Sequence, residues 1–192
     1  MTFDSIRKTL ASNNSLSLAY PGADPDLMSA GVLLLLYTKG EDICVLLNKR
    51  TNRVEHHKGE ISFPGGAQDP EDATILDTAL RETHEEMGVE TMDVEILCRL
   101  DPVSTRSLFL ITPFVGTIPA SYPFRASGVE VAEILEVPIP ALVSQLSSSK
   151  PVKGEGTEQD SGQTYTYGEH LIWGATARIL TQFLGLIAPG LR

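Results

Sequence analysis

Residues 63–88 read FPGGAQDPEDATILDTALRETHEEMG, with a proline and two glycines at one end and three glutamates within five positions at the other. No proline interrupts the run from Asp72 to Met87; Asp72 stands where an N-cap belongs and Gly88 where a helix stops. The stretch therefore predicts a glycine-containing loop leading into one helix. At about 100 degrees per residue, Glu85 and Glu86 fall within roughly 60 degrees on either side of Glu82. Leu76, Ala79, Leu80, Thr83 and Met87 take the neighbouring arc, so a carboxylate face lies beside a core face. Like charges three and four residues apart cost a helix roughly 0.2–0.5 kcal/mol per pair, so the cluster gains nothing in folding unless something positive covers it. A hard divalent cation is the simplest such object, because Mg2+ prefers oxygen ligands and is held by a few carboxylates together with substrate phosphates. A solvated acidic face is the other reading of the glutamates alone. The loop adds a second signal: two glycines after a proline let backbone approach a ligand closely, with peptide N–H groups facing phosphate.

Working outward, SAGVLLLLYTKGEDICVLLNKR (29–50) predicts two apolar strands around the turn KGED, the second near Ile43 to Asn48. A polar stretch, TNRVEHHKGE, leads into ISFPGG. Beyond the helix, VEILCRL and FLITPFVGTI read as strands, EVAEILEVPI as a turn or short helical segment running into a strand, and PALVSQLSS as a helix. SSSKPVKGEGTEQDSGQ (147–163) is polar and glycine-containing and is expected to be a mobile loop. TYTYGEHLIWG alternates as a strand, ATARILTQFLGLI is amphipathic, and Phe3, Ile6 and Leu10 mark one face of a short N-terminal helix. Interleaved strands and helices without internal repeats predict an α/β (α+β) fold, one mixed sheet with helices on both faces.

The 192 residues are 42% hydrophobic and 21% charged, which suits one domain with a sizeable core. Cys44 and Cys98 lie in apolar strand-like runs with no CxxC, as buried free thiols in a reducing compartment would. MTFDSIRKTLASNN lacks the basic-then-apolar order of a signal peptide and AGVLLLLY is too short to cross a bilayer, so a soluble cytoplasmic protein without a membrane partner is expected. A formal net charge of -10 leaves no basic footprint for nucleic acid. An anionic ligand must then be drawn in by local groups or bound cations.

Gly66, Arg81, Glu82, Glu85, Glu86, Gly88 and Val89 together resemble the signature of the Nudix hydrolases, G-x5-E-x7-R-E-U-x-E-E-x-G-U with U apolar. Gly66 and Arg81 stand fifteen steps apart where the signature has fourteen, Ala73 occupies the first glutamate's place with Asp72 adjacent, and Thr83 stands at an apolar position. The longer loop, bearing Asp69 and Asp72 before Thr78-Ala79-Leu80-Arg81-Glu82, resembles the coenzyme A pyrophosphatase branch. So do LLNKR (46–50), Gly59, STRSLFLITPFVG (104–116) and HLIWGATARIL (170–180), and the resemblance spans about residues 30 to 187. Where relatives often carry a second basic residue this chain has Glu55, and Asn48 replaces a common Thr; Arg53 or Lys58 could compensate.

The resemblance implies a Nudix-like α/β/α sandwich as a single domain over residues 1–192, with its core at about 30–140 and a C-terminal strand and helix at about 164–188. It implies Mg2+ or Mn2+ held by Glu82, Glu85 and Glu86, with Arg81 orienting the glutamates and Gly65 and Gly66 giving close backbone approach. Glu130 is the candidate further base or ligand ahead of Glu133, although a helix glutamate such as Glu82 or Glu85 could equally be the base. Arg50, Arg53 and Arg106 are candidate phosphate contacts or else salt-bridged strand ends. His56 and His57 read as surface residues and Trp173 as core packing. The implied reaction splits the diphosphate of coenzyme A or its thioesters into 3',5'-ADP and the 4'-phosphopantetheine part. ADP-ribose or another nucleoside diphosphate conjugate is the alternative substrate, a non-catalytic nucleotide-binding module the alternative class. The partner is thus a small-molecule nucleotide conjugate, with a homodimer left open.

Overall fold

The computed structural model describes residues 2–12, 26–51, 59–146 and 162–188. Arg53, Glu55, His56, His57, Lys58 and residues 147–161 of the expected mobile loop lie outside the described residues. In chain order the elements are α1 (Phe3–Ser12), β1 (Met28–Lys39), β2 (Asp42–Arg50), β3 (Ile61–Ser62), β4 (Gly65–Ala67), α2 (Ile75–Met87), a 3-10 turn (Thr91–Asp93), β5 (Glu95–Arg99), β6 (Val103–Ser104), β7 (Phe109–Thr117), β8 (Val131–Pro138), α3 (Ile139–Val143), β9 (Tyr165–Tyr167), β10 (His170–Ile172) and α4 (Gly174–Ile187).

The run AGVLLLLY becomes the middle of a mixed eight-stranded sheet. β1 pairs in parallel with β7 along one edge and antiparallel with β2 on the other. A strand covered on both faces reads as a continuous apolar run rather than an alternating one. Leu33, Leu35 and Tyr37 pack with Ala79 and Met87 of α2; Leu34 and Leu36 belong to the opposite core with Ile6 and Leu10 of α1, Leu142 of α3, and Leu180, Phe183 and Leu184 of α4. Leu33 to Leu36 are fully buried, which contributes about 1.5–3 kcal/mol per side chain. Helices therefore cover both faces of the sheet, as expected.

The site is positioned by a splay in this sheet. β1 and β2 pair only over Leu36–Lys39 and Asp42–Val45. Toward the other end of β1 its edge is taken by β4, with Gly31 opposite Gly66, while β2 is met by β3, with Asn48 opposite Ser62. The FPGG corner is thus wedged between two parted strands, directly beneath α2. The far edge of β2 carries β8.

Four expectations change. The N-cap of α2 is Thr74, not Asp72: the Thr74 side chain accepts from Asp77 N at 3.2 Å, freeing Asp72 for another partner. Thr74→Ala should lower stability by about 1 kcal/mol, read from the denaturant midpoint. The strand expected at 164–174 is a hairpin, β9 and β10, because Gly168 takes φ +60 and turns the chain. The helix expected over PALVSQLSS ends at Val143, where Gln145 instead engages the Thr166 backbone, accepting from its N at 2.8 Å and donating to its O at 2.9 Å. Trp173 is 49% exposed and not core, since strand alternation turns Ile172 inward and the next residue out. Gly88 does end α2, in the left-handed region at φ 68, and both cysteines are free and buried, with burial pushing the Cys98 thiol up to about 11.

Candidate active site

Arg81 organises one side of the site. Its Nε and Nη2 donate to Asp72 Oδ1 and Oδ2 at 3.0 and 2.9 Å, and its Nη1 reaches Glu82 Oε1 at 2.9 Å and Glu85 Oε2 at 3.3 Å. The loop that is one residue too long closes as a turn, with Asp72 N donating to Asp69 O at 3.0 Å and Asp69 N to Asp72 Oδ2 at 3.0 Å. The extra residue is thereby absorbed and Asp72, not exposed Ala73, meets the arginine. The Arg81 hydrogen bonds hold the Asp72 carboxyl well below the usual carboxylate range. Its contribution to stability is present above the unfolded value near ~3.9 and is lost as pH falls through the folded one. Asp72→Asn should therefore flatten the acid limb of a plot of Tm against pH below about 4.

The three glutamates, expected on one face, occupy three environments. Glu85 is exposed and turned to Arg81. Glu82 is half-buried, its pKa raised by burial and by the charges of Glu85 and Glu130 against the lowering effect of Arg81. Glu86 is buried: Asn48 Nδ2 donates to its Oε2 at 2.8 Å, Gly65 N to the same oxygen at 3.2 Å, and Arg50 Nη1 stands 3.5 Å from Oε1. Burial pushes Glu86 up to about 7, Arg50 and the Gly65 N–H oppose this, and Glu82 and Glu130 add to it. Glu130 is brought here by a turn hooked on the end of α2, where Arg125 N donates to Met87 O and Ser127 N to Glu86 O, each at 2.8 Å. Thr51 N then donates to Glu130 O at 2.8 Å. Glu133, by contrast, lies beside His170, with Oε2 3.5 Å from its Nε2.

The two glycines of the corner are constrained differently. Gly65 has φ +147, and a Cβ there would stand 2.3 Å from Gly31 O. A Cβ at Gly66 would stand 2.6 Å from Glu82 Oε1. Since that clash is with the end of a flexible side chain, Gly66→Ala should fold normally yet displace the Glu82 carboxylate. Turnover should fall about a hundredfold with Tm nearly unchanged, the scale on which ~1 Å of misplacement acts.

Residues 26–148 match the family model for the NUDIX domain. The chain belongs to the Nudix hydrolase family. An uncharacterized Nudix hydrolase NudL from Photorhabdus laumondii is 37% identical over 153 residues, covering 80% of this chain and 81% of that one. A NudL from Yersinia pestis is 35% identical over 152 residues, covering 79% and 75%. Among solved structures, a Nudix hydrolase from Alicyclobacillus acidocaldarius superposes with TM-score 0.55 at 18% identity, covering 85% of this chain and 93% of that one. RenU from M. smegmatis gives 0.53 at 19%, covering 86% and 88%; at these identities the likeness is one of fold.

Nudix hydrolases use divalent metal ions, and the residues of this Nudix hydrolase fit one by their chemistry. Glu82 and Glu86 offer hard carboxylate oxygens at the glycine pair, Glu86 accepting from Gly65 N and Glu82 lying where a Gly66 Cβ would stand. As the side chains lie, no three His, Cys, Asp or Glu among the described residues are grouped closely enough to grip an ion. Glu85 is the exposed one of the three, 3.3 Å from the Arg81 Nη1 that also meets Glu82 at 2.9 Å.

The arginines expected to contact phosphate have different surroundings. Arg50 faces Glu86 and serves that buried carboxylate, not open solvent. Arg106 is exposed in the turn between β6 and β7. Arg53 is outside the described residues. Asn48 and Ser62 went unseen in the sequence as site residues. Asn48 is fully buried; the sequence marked it only as a polar residue ending the apolar run ICVLLN and as a replacement for the Thr common in segments that LLNKR resembles. No helix among the described residues is long and apolar enough to cross a membrane.

Proposed function

We propose that this Nudix hydrolase cleaves the diphosphate linkage of coenzyme A or acyl-CoA, releasing 3',5'-ADP and (acyl-)4'-phosphopantetheine with Mg2+ or Mn2+. The observation that supports the reading is the convergence of two branch-like segments on one carboxylate. LLNKR contributes Asn48 and Arg50, FPGG contributes Gly65, and all three meet Glu86. Glu82, Glu85 and Glu86 are the residues that would hold the cation. When bound, a divalent cation neutralises phosphoryl oxygens and lowers the pKa of a coordinated water. Arg81, locked by Asp72, keeps Glu82 directed at the glycine corner. Gly65 and Gly66 bring backbone beside the diphosphate. Glu130, near enough to raise the pKa of both Glu82 and Glu86, accepts the proton of the attacking water as the new P–O bond forms and the bridging P–O bond breaks.

Glu55, where a basic residue is common, favours a second reading in which ADP-ribose or another nucleoside diphosphate conjugate is the substrate. Mass analysis of products from coenzyme A, acetyl-CoA and ADP-ribose, with metal added and withheld, tests the proposal. Metal-dependent 3',5'-ADP release is expected; rapid ADP-ribose cleavage beside inert coenzyme A would replace it with the second reading.

A further inference from the structure

We infer that Asn48, oriented by Ser62, is the positioning residue that sets the Glu86 carboxylate for cation binding. The inference rests on the reading above that Glu86 is a ligand. Asn48 is fully buried on β2, opposite Ser62 of β3 in the ladder. Its Nδ2 donates to Glu86 Oε2 at 2.8 Å, and its Oδ1 accepts from Ser62 Oγ at 2.6 Å. The amide orientation follows from chemistry: a carboxylate only accepts, so the amide must turn its NH2 to Glu86, and its oxygen then needs the donor that Ser62 supplies. Gly65 N donates to the same Oε2, so two neutral donors occupy that oxygen while Oε1 faces Arg50 at 3.5 Å. At that separation Arg50 pairs with Oε1 by charge rather than through a strong hydrogen bond, so Oε1 is the less engaged of the two oxygens.

This division of labour accounts for a buried polar side chain directly after the apolar run ICVLL of β2. Unpaired, Asn48 would cost the strand stability; paired, it fixes the rotamer of a carboxylate whose other oxygen is less engaged. Ser62 is held in turn, because the neighbouring Ile61 O accepts from Thr176 Oγ1 of α4 at 3.1 Å, tying β3 to the helix on the opposite face of the sheet.

Binding of Mn2+ alone to the full chain, followed by the electron paramagnetic resonance signal of the free ion, tests this without substrate. Asn48→Leu matches the side-chain size but removes the donor; Mn2+ affinity should fall about 10–100-fold, as when other ligand-orienting partners are lost. In turnover assays the requirement for Mn2+ should rise in parallel, with activity recovering as Mn2+ is increased. Ser62→Ala leaves Asn48 in place and frees its amide, so a smaller loss is expected; it also serves if Asn48→Leu does not fold. A lower Tm with unchanged Mn2+ affinity would make Asn48 a packing residue and overturn the inference. Wild-type protein that binds no Mn2+ would overturn the ligand reading itself, and the inference with it.

Discussion

Glu82→Gln should lose turnover by at least about a hundredfold while keeping its Tm, or gaining slightly. The two effects have opposite signs for one reason. Glu82 is partly desolvated and stands close enough to Glu85 and Glu130 for their charges to raise its pKa. Removing its charge relieves that repulsion in the free protein, while Gln keeps an oxygen to accept from Arg81 Nη1, now 2.9 Å from Glu82 Oε1. What Gln cannot supply is the negative charge that draws a cation and a polyanionic substrate together at the glycine corner. Initial rates on the best diphosphate substrate, with a thermal melt of both proteins, make the check. Turnover within a few-fold of wild type would remove Glu82 from the site.

Gly31→Ala should cost about 3 kcal/mol, the upper range for forcing atoms into a packed interior. In a chain of this size that lowers Tm by roughly 6–12 °C, read by calorimetry. Gly31 faces α2 from the central strand, and a Cβ there would stand 2.3 Å from Ile75 O and 3.1 Å from Ala79 N. Both obstacles are helix backbone, so no side chain can yield; the first turn of α2 must lift. Arg81, Glu82 and Glu86 ride on that helix, so activity should fall even where the protein remains folded. Gly185 offers the contrast of a glycine with nothing near its added Cβ.

The helix at 75–87, its Gly88 stop, the hairpin of β1 and β2 and the two buried thiols were legible because each depends on near neighbours in the chain. The N-cap was misread because Asp72 and Thr74 are both good capping residues two positions apart, and only the Arg81 fork, nine residues on, takes Asp72 away. The wheel placed Glu85 and Glu86 on one face, yet Glu85 is 57% and Glu86 2% exposed. The parted ends of β1 and β2 come to rest over one of them, and no periodicity reports which. Asn48 was legible only as an odd residue, because its partner Glu86 is 38 positions away.

By itself, the sequence determined the chemistry: a carboxylate-rich helix behind a glycine corner, at a spacing that resembles one hydrolase family and one branch of it. Composition and short-range spacing carry that much, since turns, caps and helical faces are set by residues within a few positions. The tertiary structure alone decided the surroundings of each carboxylate. It gave Asp72 to the arginine, left Glu85 exposed beside that arginine, and buried Glu86 between Asn48, Gly65 and Arg50. Burial and hydrogen-bond partners arise from segments distant in the chain, and they set the charge, rotamer and free lone pairs of an ionisable group.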